Sequence, residues 1–420
     1  MVGKRFGISI LLLCLVVARA RAETEEPAKP RLHWIALETL GLFGIGEAWY
    51  WRHGASTNSG DWELPRNWSA ITTKFSGDGF RYDGDGFITN GLKHPLFGLA
   101  SYEIARENGY GMLGSFVFAS LTSGIWETFG EWQEYGSIND LMLTSTSGVP
   151  LGEALHQMLH HVRQTRLDAV LGFGSHREGT TAHSFETVAL RTALDTPARS
   201  VAFDVEIPFD GDGTRGVLID ANTSIKSFRN EHGVAALIST FDYRDKSERP
   251  GEDWDVHAMV GLGTRAGFQI RAGDATFELG VVGTAETGME KAHAFQMWRA
   301  VNPDAFVRGS EQTNKHGYYH AIGGNASSQL AVSYGGVSAG VYGGAAMYRA
   351  LEGHDRYRDK ITADPELADR ELTAGGWFSI SHGRALLRLD LWQRQLTGRA
   401  DEFRSDVEER DVLVSAGVRI

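Results

Sequence analysis

The chain has 420 residues, 22% of them charged, and a formal net charge of −12 at pH 7. This acidic balance argues against nucleic-acid binding, because the chain would repel the phosphate backbone. The single cysteine, Cys14, lies in the apolar part of an N-terminal leader, so the processed chain would have no disulfide and no thiolate metal site.

Residues 1–22 are typical of a secretory signal peptide. Lys4 and Arg5 precede an apolar run, and a small-x-small cleavage motif ends at Ala22. Removal of this leader, which carries four basic and no acidic residues, would make the net charge −16. Residues 23–32 are polar, contain proline and are predicted to be flexible.

Residues 33–166 show helical periodicity and are predicted to form an α-helical domain. The predicted helices cover residues 33–51, 95–107, 110–134 and 148–165, and a Gly/Asp/Asn-rich loop covers 54–93. In the third helix, residues 110–126 carry no charge and include several Gly and Ser. This composition indicates a helix that is buried among its neighbours or lies at the inner leaflet of a membrane.

Residues 167–420 alternate between apolar and polar side chains, which is the period of a β-strand with one apolar and one polar face. Leu387 and Leu389, for example, alternate with Arg388 and Asp390. Twelve strands are predicted, near 167–174, 183–192, 200–208, 214–226, 233–244, 254–271, 275–287, 318–333, 337–350, 369–381, 384–397 and 411–420. This pattern favours an outer-membrane β-barrel, and a soluble secreted β-sandwich is the alternative.

The predicted connections support the barrel. Tight turns are predicted at 273–274, 334–336 and 382–383, and long polar loops at 288–317, 351–368 and 398–410. Outer-membrane barrels have short periplasmic turns and long external loops, and an even number of strands puts both ends of the barrel in the periplasm. The expected partners are therefore outer-membrane lipid and, during biogenesis, the barrel-assembly machinery, whose signal the terminal strand VLVSAGVRI resembles.

Residues 67–153 resemble a bacterial family of predicted outer-membrane proteins that is defined by a domain of unknown function. The resemblance rests on the motifs HP, GY, WE, SxxDL and GxxxGE, with the family-motif positions Asp83, Asp85, Asn90, His94, Pro95, Tyr102, Glu127, Ser137, Asp140, Gly148, Gly152 and Glu153. This family has no assigned activity. The resemblance therefore implies a location and no reaction.

Three residues of the helical region are candidates for catalysis, namely His94, Glu127 and Asp140. A histidine beside carboxylates can exchange protons in general acid–base chemistry, for instance on a lipid substrate. The alternative is structural, with His94 at the start of a helix and hydrogen-bonded to Asp140 or Glu127.

Glu153, His156 and His160 are candidates for metal binding, because their spacing places them on one face of a helix. Glu-x-x-His motifs on helices hold iron or zinc when other helices supply further ligands. The three catalytic candidates are available for that purpose. The alternative is a solvated helix face.

The sequence thus predicts an α+β protein, with an N-terminal α-helical domain followed by a roughly 12-stranded antiparallel transmembrane β-barrel at 167–420. The predicted function is a structural or weakly conducting outer-membrane barrel with its helical domain on the periplasmic side. The alternative is an outer-membrane enzyme that modifies lipid or lipopolysaccharide through a His/carboxylate site in the helical domain. Cofactor, small-molecule ligand, substrate and oligomeric state are not given by the sequence.

Overall fold

The computed structural model describes residues 29–57, 62–76, 79–82, 86–161, 167–178, 183–195, 200–210, 213–214, 216–249, 252–305, 317–351 and 360–419. The chain divides into two compact units, one formed by Met1–Asp83 with Leu92–Arg163 and one formed by Gly84–Gly91 with Gln164–Ile420. The predicted signal peptide lies outside the described residues, as does most of the predicted flexible segment and the motif pair Asp83 and Asp85.

The first unit is helical. In its described part the α-helices are α1 (Leu32–Thr57), α2 (Trp68–Lys74), α3 (His94–Glu107), α4 (Met112–Ile125), α5 (Ile138–Ser147) and α6 (Glu153–His161). Single π-helical turns follow α4, at Trp126–Gly130, and α5, at Gly148–Gly152. Helix α3 is the centre of the unit, since it packs against α4, α5 and α6.

Two of these helices are not predicted by the sequence. Helix α2 falls in the predicted 54–93 loop, and α5 falls between the third and fourth predicted helices. Helix α5 is rich in Ser and Thr, which favour helices weakly because their side chains compete for backbone hydrogen bonds. It forms because Ser137 caps its first turn by accepting the N–H of Asp140, and because its core-facing side is buried.

The uncharged third helix is shorter than predicted, and α4 ends at Ile125. Its small residues Ser115, Ala119 and Ser123 are buried, whereas Leu113 and Leu121 are exposed. In the described part of the chain, no helix has both the length and the apolar character needed to cross a membrane.

The second unit is a closed antiparallel β-barrel of twelve strands, which confirms the predicted fold class. The strands are β1 (Leu167–Glu178), β2 (His183–Asp195), β3 (Ser200–Asp210), β4 (Gly216–Asn230), β5 (Gly233–Arg249), β6 (Glu252–Ala272), β7 (Ala275–Lys291), β8 (Tyr318–Tyr334), β9 (Val337–Ala350), β10 (Leu367–His382), β11 (Ala385–Ala400) and β12 (Phe403–Arg419). Each strand pairs with the next one, and β12 pairs with β1 to close the barrel.

Two of the predicted long loops differ from the structure. The prediction of a loop at 398–410 is wrong, because β11 and β12 meet in a tight turn at Asp401, which has a φ of 51°. The start of β12 is polar on both faces, as at Arg404 and Asp406, so apolar alternation does not reveal it. In the 288–317 connection, β7 continues to Lys291 and a short helix, α7 (Phe295–Val301), follows.

The two faces of the barrel have different chemistry. Arg244 on β5 contacts Glu371 on β10, and Arg191 on β2 contacts Asp390 on β11. These strands are not neighbours, so the side chains meet across the lumen. On the opposite face, large apolar side chains are 40–68% exposed, for example Leu262, Phe268, Ile270, Leu330, Val332, Val341, Phe378, Leu387 and Val414.

Helix α7 packs onto the inward-facing side of the barrel wall. Phe295 and Trp298 are buried in an apolar cluster with Tyr319 and Tyr348. Tyr319 donates a hydrogen bond to Asp369 across one intervening strand, which places this cluster inside the barrel. The indole of Trp298 donates a hydrogen bond of 2.9 Å to Asp401, so the helix is also fixed to the β11–β12 turn.

Residues 86–91 are far from the barrel strands in sequence but belong to the barrel unit. Phe87 stacks on Tyr243 with a centroid distance of 5.4 Å and lies 6.0 Å from Tyr318. Tyr243 precedes the lumen-facing Arg244 on β5, so Phe87 packs on the outer face of the wall. The sequence does not predict this contact.

Candidate functional site

The three predicted catalytic candidates converge in the helical unit. His94 begins α3, Glu127 lies in the π-helical turn after α4, and Asp140 lies in the first turn of α5. One ligand atom from each lies within 4.8 Å of the others. All three are buried, and only His94, at 8% exposure, reaches solvent to any extent.

This buried cluster is extensively hydrogen-bonded. His94 Nε2 lies 3.3 Å from Asp140 Oδ2, and its Nδ1 lies 3.3 Å from the hydroxyl of Thr144. Glu127 Oε2 accepts the backbone N–H of Ser137 at 2.8 Å. The arrangement can hold a proton between His94 and Asp140, and it also joins three helical segments into one core.

Lys74 on α2 ties the Glu127 turn to the rest of the unit. Its ammonium group donates to the backbone carbonyl of Glu127 and, at 2.8 Å, to that of Glu131. Burial lowers the pKa of Lys74, whereas the negative charges of Glu131, Glu127 and Glu134 raise it. No sequence pattern identifies Lys74 as a site residue, because it is a lone lysine within the predicted 54–93 loop.

Glu153 is not in the group of close ligand atoms that contains both histidines predicted to accompany it, and it has its own partners. It is fully buried and accepts hydrogen bonds from the Tyr102 hydroxyl at 2.6 Å and from Gln157 at 2.6 Å. Arg106 donates two hydrogen bonds to it, at 2.8 and 2.9 Å. This bidentate pair fixes α6 against α3 and occupies the oxygens that metal binding would need.

The glycines before Glu153 explain its position. A Cβ on Gly148 would lie 2.9 Å from the carbonyl oxygen of Gly98, and one on Gly152 would lie 2.5 Å from the ring of Tyr102. The GxxxGE motif therefore allows the close approach of this turn to α3, after which Glu153 meets Tyr102 and Arg106.

Glu107 takes the place that the sequence analysis gives to Glu153. Its Oε1 lies 2.8 Å from His156 Nδ1 and 2.7 Å from His160 Nε2. The three side chains are partly exposed and form a second group with suitably close ligand atoms. Burial tends to raise the pKa of Glu107, but the hydrogen bonds from His156 and His160 outweigh it and lower this pKa to about 2.

Burial lowers the pKa of His156 despite its hydrogen bond to Glu107. The imidazole is therefore neutral at pH 7, and it donates its proton to an ionised carboxylate. Neutral imidazole and ionised carboxylate are also the forms that bind metal ions. The sequence contains one indication of this second group, the spacing of Glu103 and Glu107 at i and i+4 on α3. It does not reveal that this pair faces α6, because that depends on how the two helices pack.

The barrel lumen contains a network of ion pairs. Arg191 contacts Glu206 at 3.0 Å and Asp390 at 3.2 Å. Asp390 in turn accepts a hydrogen bond of 2.7 Å from Arg388. The acidic groups at this level of the lumen are therefore accompanied by two guanidinium groups.

A second part of the network joins opposite walls. Arg394 contacts Glu409 at 2.6 Å and Glu371 at 3.5 Å, and Arg244 contacts Glu371 at 2.9 Å. Lys246 lies 3.5 Å from the same carboxylate of Glu409. Arg244 and Lys246 on β5 thus cross the lumen, whereas Arg394 pairs with carboxylates on the neighbouring strands β10 and β12.

The fold places this chain in the class of closed, twelve-stranded antiparallel β-barrels that carry an N-terminal helical unit. A family model described as a domain of unknown function (DUF3943) matches residues 79–174. That range includes both side-chain clusters and the first residues of β1. No curated protein matches the chain.

Among solved structures, the chain is similar to the NanC porin, with 7% identity over 60% of this chain and 100% of that one and a TM-score of 0.32. It is also similar to an outer membrane channel from Pseudomonas putida F1, with 11% identity, 60% and 95% coverage and a TM-score of 0.30. A third is the CymD monoaromatic hydrocarbon channel, with 8% identity, 66% and 96% coverage and a TM-score of 0.24. These likenesses are weak, and the fold assignment rests on the strand pairing itself.

Proposed function

We propose that the protein is an outer-membrane β-barrel with a structural or weakly conducting role. The supporting observation is the contrast between a belt of exposed apolar side chains on one face of the wall and an ion-paired lumen on the other. A soluble protein rarely exposes so much contiguous apolar surface, whereas lipid is the natural contact for it. The protein is expected to fractionate with the outer membrane and to resist extraction by alkali.

The lumen favours low conductance. Its carboxylates are paired with arginines, two of which reach across the barrel, and α7 packs inside it. A twelve-stranded barrel leaves only modest interior space, so these side chains occupy much of the section through which ions would pass. Paired charge also removes the negative field that would otherwise attract cations.

Planar-bilayer recording tests this proposal. The refolded protein should show little or no stable conductance, and the double variant Arg244→Gln/Glu371→Gln should conduct more, because it removes both partners of a pair that crosses the lumen. Arg410→Gln/Glu408→Gln removes an exposed pair of the same types and serves as the control. A large, stable conductance of the unmodified protein would contradict a structural role.

We further propose that the helical unit lies on the periplasmic side, because the sequence predicts a secretory leader before it and an even number of strands after it. A cysteine introduced at the exposed Glu63 tests this placement in a chain whose only natural cysteine lies in the leader. A membrane-impermeant maleimide should label it only after the outer membrane is permeabilised. Labelling of intact cells would show the opposite orientation.

The convergence of His94, Glu127 and Asp140 supports a second candidate, an enzyme that acts on outer-membrane lipid. The His94–Asp140 pair would move a proton, with the 8% exposure of His94 as the point of contact with substrate. Deletion should then alter the lipid A or phospholipid mass spectrum, and His94→Gln should reproduce that change while His232→Gln, on an exposed barrel turn, should not. An unchanged lipid profile on deletion would leave the cluster as scaffold.

A further inference from the structure

Two pairs of ligand-type side chains face each other between α3 and α6. Glu103 and Glu107 are four residues apart on α3, and His156 and His160 are four residues apart on α6, so each pair lies on one helical face. The Glu107 carboxylate contacts both imidazoles, and Glu103 Oε2 lies 3.9 Å from His156 Nδ1. The imidazole rings lie 4.4 Å apart, and ligand atoms of Glu107, His156 and His160 all lie within 4.8 Å of one another, with Glu103 next to this group beside His156.

Glu103 is the independent observation that points to a ligand. Its side chain is fully buried, and neither carboxylate oxygen makes a hydrogen bond within the described residues. A carboxylate in this position is costly unless a cation or a donor compensates it. The positive charge of the neighbouring Arg106 offsets this cost only in part, because its guanidinium group donates hydrogen bonds to Glu153, at 2.8 and 2.9 Å, and none to Glu103.

We propose that Glu103, Glu107, His156 and His160 bind one divalent transition-metal ion, of which Zn²⁺ is the representative. Two imidazole nitrogens and two carboxylate oxygens form a donor set that suits Zn²⁺ and Fe²⁺ better than Ca²⁺ or Mg²⁺. The two carboxylates balance the charge of the ion, which leaves a neutral site between the helices. Bound metal would join α3 to α6 independently of the Glu153–Arg106 pair.

The observed separations are close to those of such a site. Zinc–ligand distances of about 2.1 Å and tetrahedral angles give ligand–ligand distances of about 3.4 Å. The hydrogen-bonded contacts at 2.7 and 2.8 Å must lengthen, and the 3.9 Å contact must shorten. These three changes are about 0.5–0.7 Å. Glu103 lies outside the group of ligand atoms within 4.8 Å of one another, so its carboxylate must move further than this to bind the same ion.

Metal analysis of the purified, full-length protein in detergent tests the proposal. After incubation with ZnCl₂ and desalting, the unmodified protein should retain about one Zn²⁺ per chain. His160→Gln and Glu107→Gln should each bind Zn²⁺ at least about 100-fold more weakly, as expected for the loss of a direct ligand. Glu103→Gln, which keeps the shape of the side chain, should bind at least about 10-fold more weakly.

A matched control exists on the barrel. Glu231 and His232 are also a contacting Glu–His pair, at 3.3 Å, but both are exposed and lie on a turn. The variant Glu231→Gln/His232→Gln should retain the full amount of Zn²⁺. If it loses the metal while His160→Gln keeps it, the proposed site is wrong.

Cobalt binding provides a test that uses the unmodified protein and therefore does not depend on the folding of any variant. Co²⁺ at a tetrahedral site of two nitrogens and two oxygens should give intense visible absorption bands, which Zn²⁺ should displace in a one-to-one titration. Retention of no metal by the unmodified protein, or a Co²⁺ spectrum equal to that of hydrated Co²⁺, would overturn the proposal. Zn²⁺ binding by Glu103→Gln with unchanged affinity would overturn the four-ligand form of it.

Discussion

At the scale of single residues, the helical unit depends on carboxylates that have specific partners. Glu153 meets Tyr102, Arg106 and Gln157, whereas Glu127 meets the backbone of Ser137. Negative charge at Glu153 and burial together raise the pKa of Tyr102, which therefore stays protonated and acts as a hydrogen-bond donor. Glu153 and Glu127 are thus each held by their own partners and do not form one site.

Substitution of Glu153 should strongly destabilise the helical unit. Glu153→Gln removes the charge that faces Arg106 and is expected to cost about 3 kcal/mol, because it leaves a largely buried guanidinium group without its counter-ion. Denaturant unfolding followed by helical circular dichroism measures this loss. Glu63→Gln, at an exposed position, should change the free energy of unfolding by less than about 0.5 kcal/mol. Equal effects of the two substitutions would contradict the importance of the pair.

At the scale of elements, α3 and α5 approach so closely that only glycine fits between them. A Cβ on Gly98 would lie 1.9 Å from the carbonyl oxygen of Thr144. The same approach brings His94 to Thr144 and Asp140. The position of the buried histidine is thus set by the separation of two helices.

Two glycine-to-alanine substitutions should therefore have opposite effects. Gly98→Ala must push α3 from α5 and is expected to destabilise the helical unit by several kcal/mol, on the order of 3 kcal/mol. Gly124→Ala, on α4, meets no atom within 4 Å and should stabilise the unit by about 0.5–1 kcal/mol through helix propensity. Thermal unfolding of both variants checks the prediction, and a neutral Gly98→Ala would disprove the close contact.

At the scale of the whole molecule, the barrel is closed by strand pairing and its interior is filled by side chains. The cross-lumen pairs of Arg244 and Lys246 occupy one part, and the apolar cluster around Phe295 and Trp298 occupies another. Helix α7 comes from a connection between two strands, so the chain supplies its own obstruction. Under the proposed function, this helix would limit conductance together with the paired charges.

Removal of the main anchor of α7 should open the barrel. Trp298→Ala deletes a buried indole and its hydrogen bond to Asp401, and it is expected to increase single-channel conductance in planar bilayers. Met297→Ala, on the same helix but 47% exposed, should leave conductance unchanged. Identical traces from both variants would show that α7 does not obstruct the lumen.

Most of the barrel strands could be predicted from the local alternation of apolar and polar side chains. Alternation around Leu387–Asp390 indicates a strand by itself, since the two faces of a strand meet different solvents. The pattern fails where both faces are polar, as at Arg404 and Asp406, and there the structure extends β12 through a region predicted as loop. Helix α5 is missed for a related reason, because its Ser- and Thr-rich surface is buried by tertiary contacts.

The sequence by itself determined the strands, their number and the residues that carry charge, because each follows from side chains that are close along the chain. Only the tertiary structure decided which of those charges meet. Glu107 and not Glu153 lies beside His156 and His160, since that choice depends on how α3 packs against α6. Segments that are distant in sequence pack through close helix–helix contacts such as that of α3 with α5 at Gly98. No local sequence pattern indicates which segment a given helix will contact.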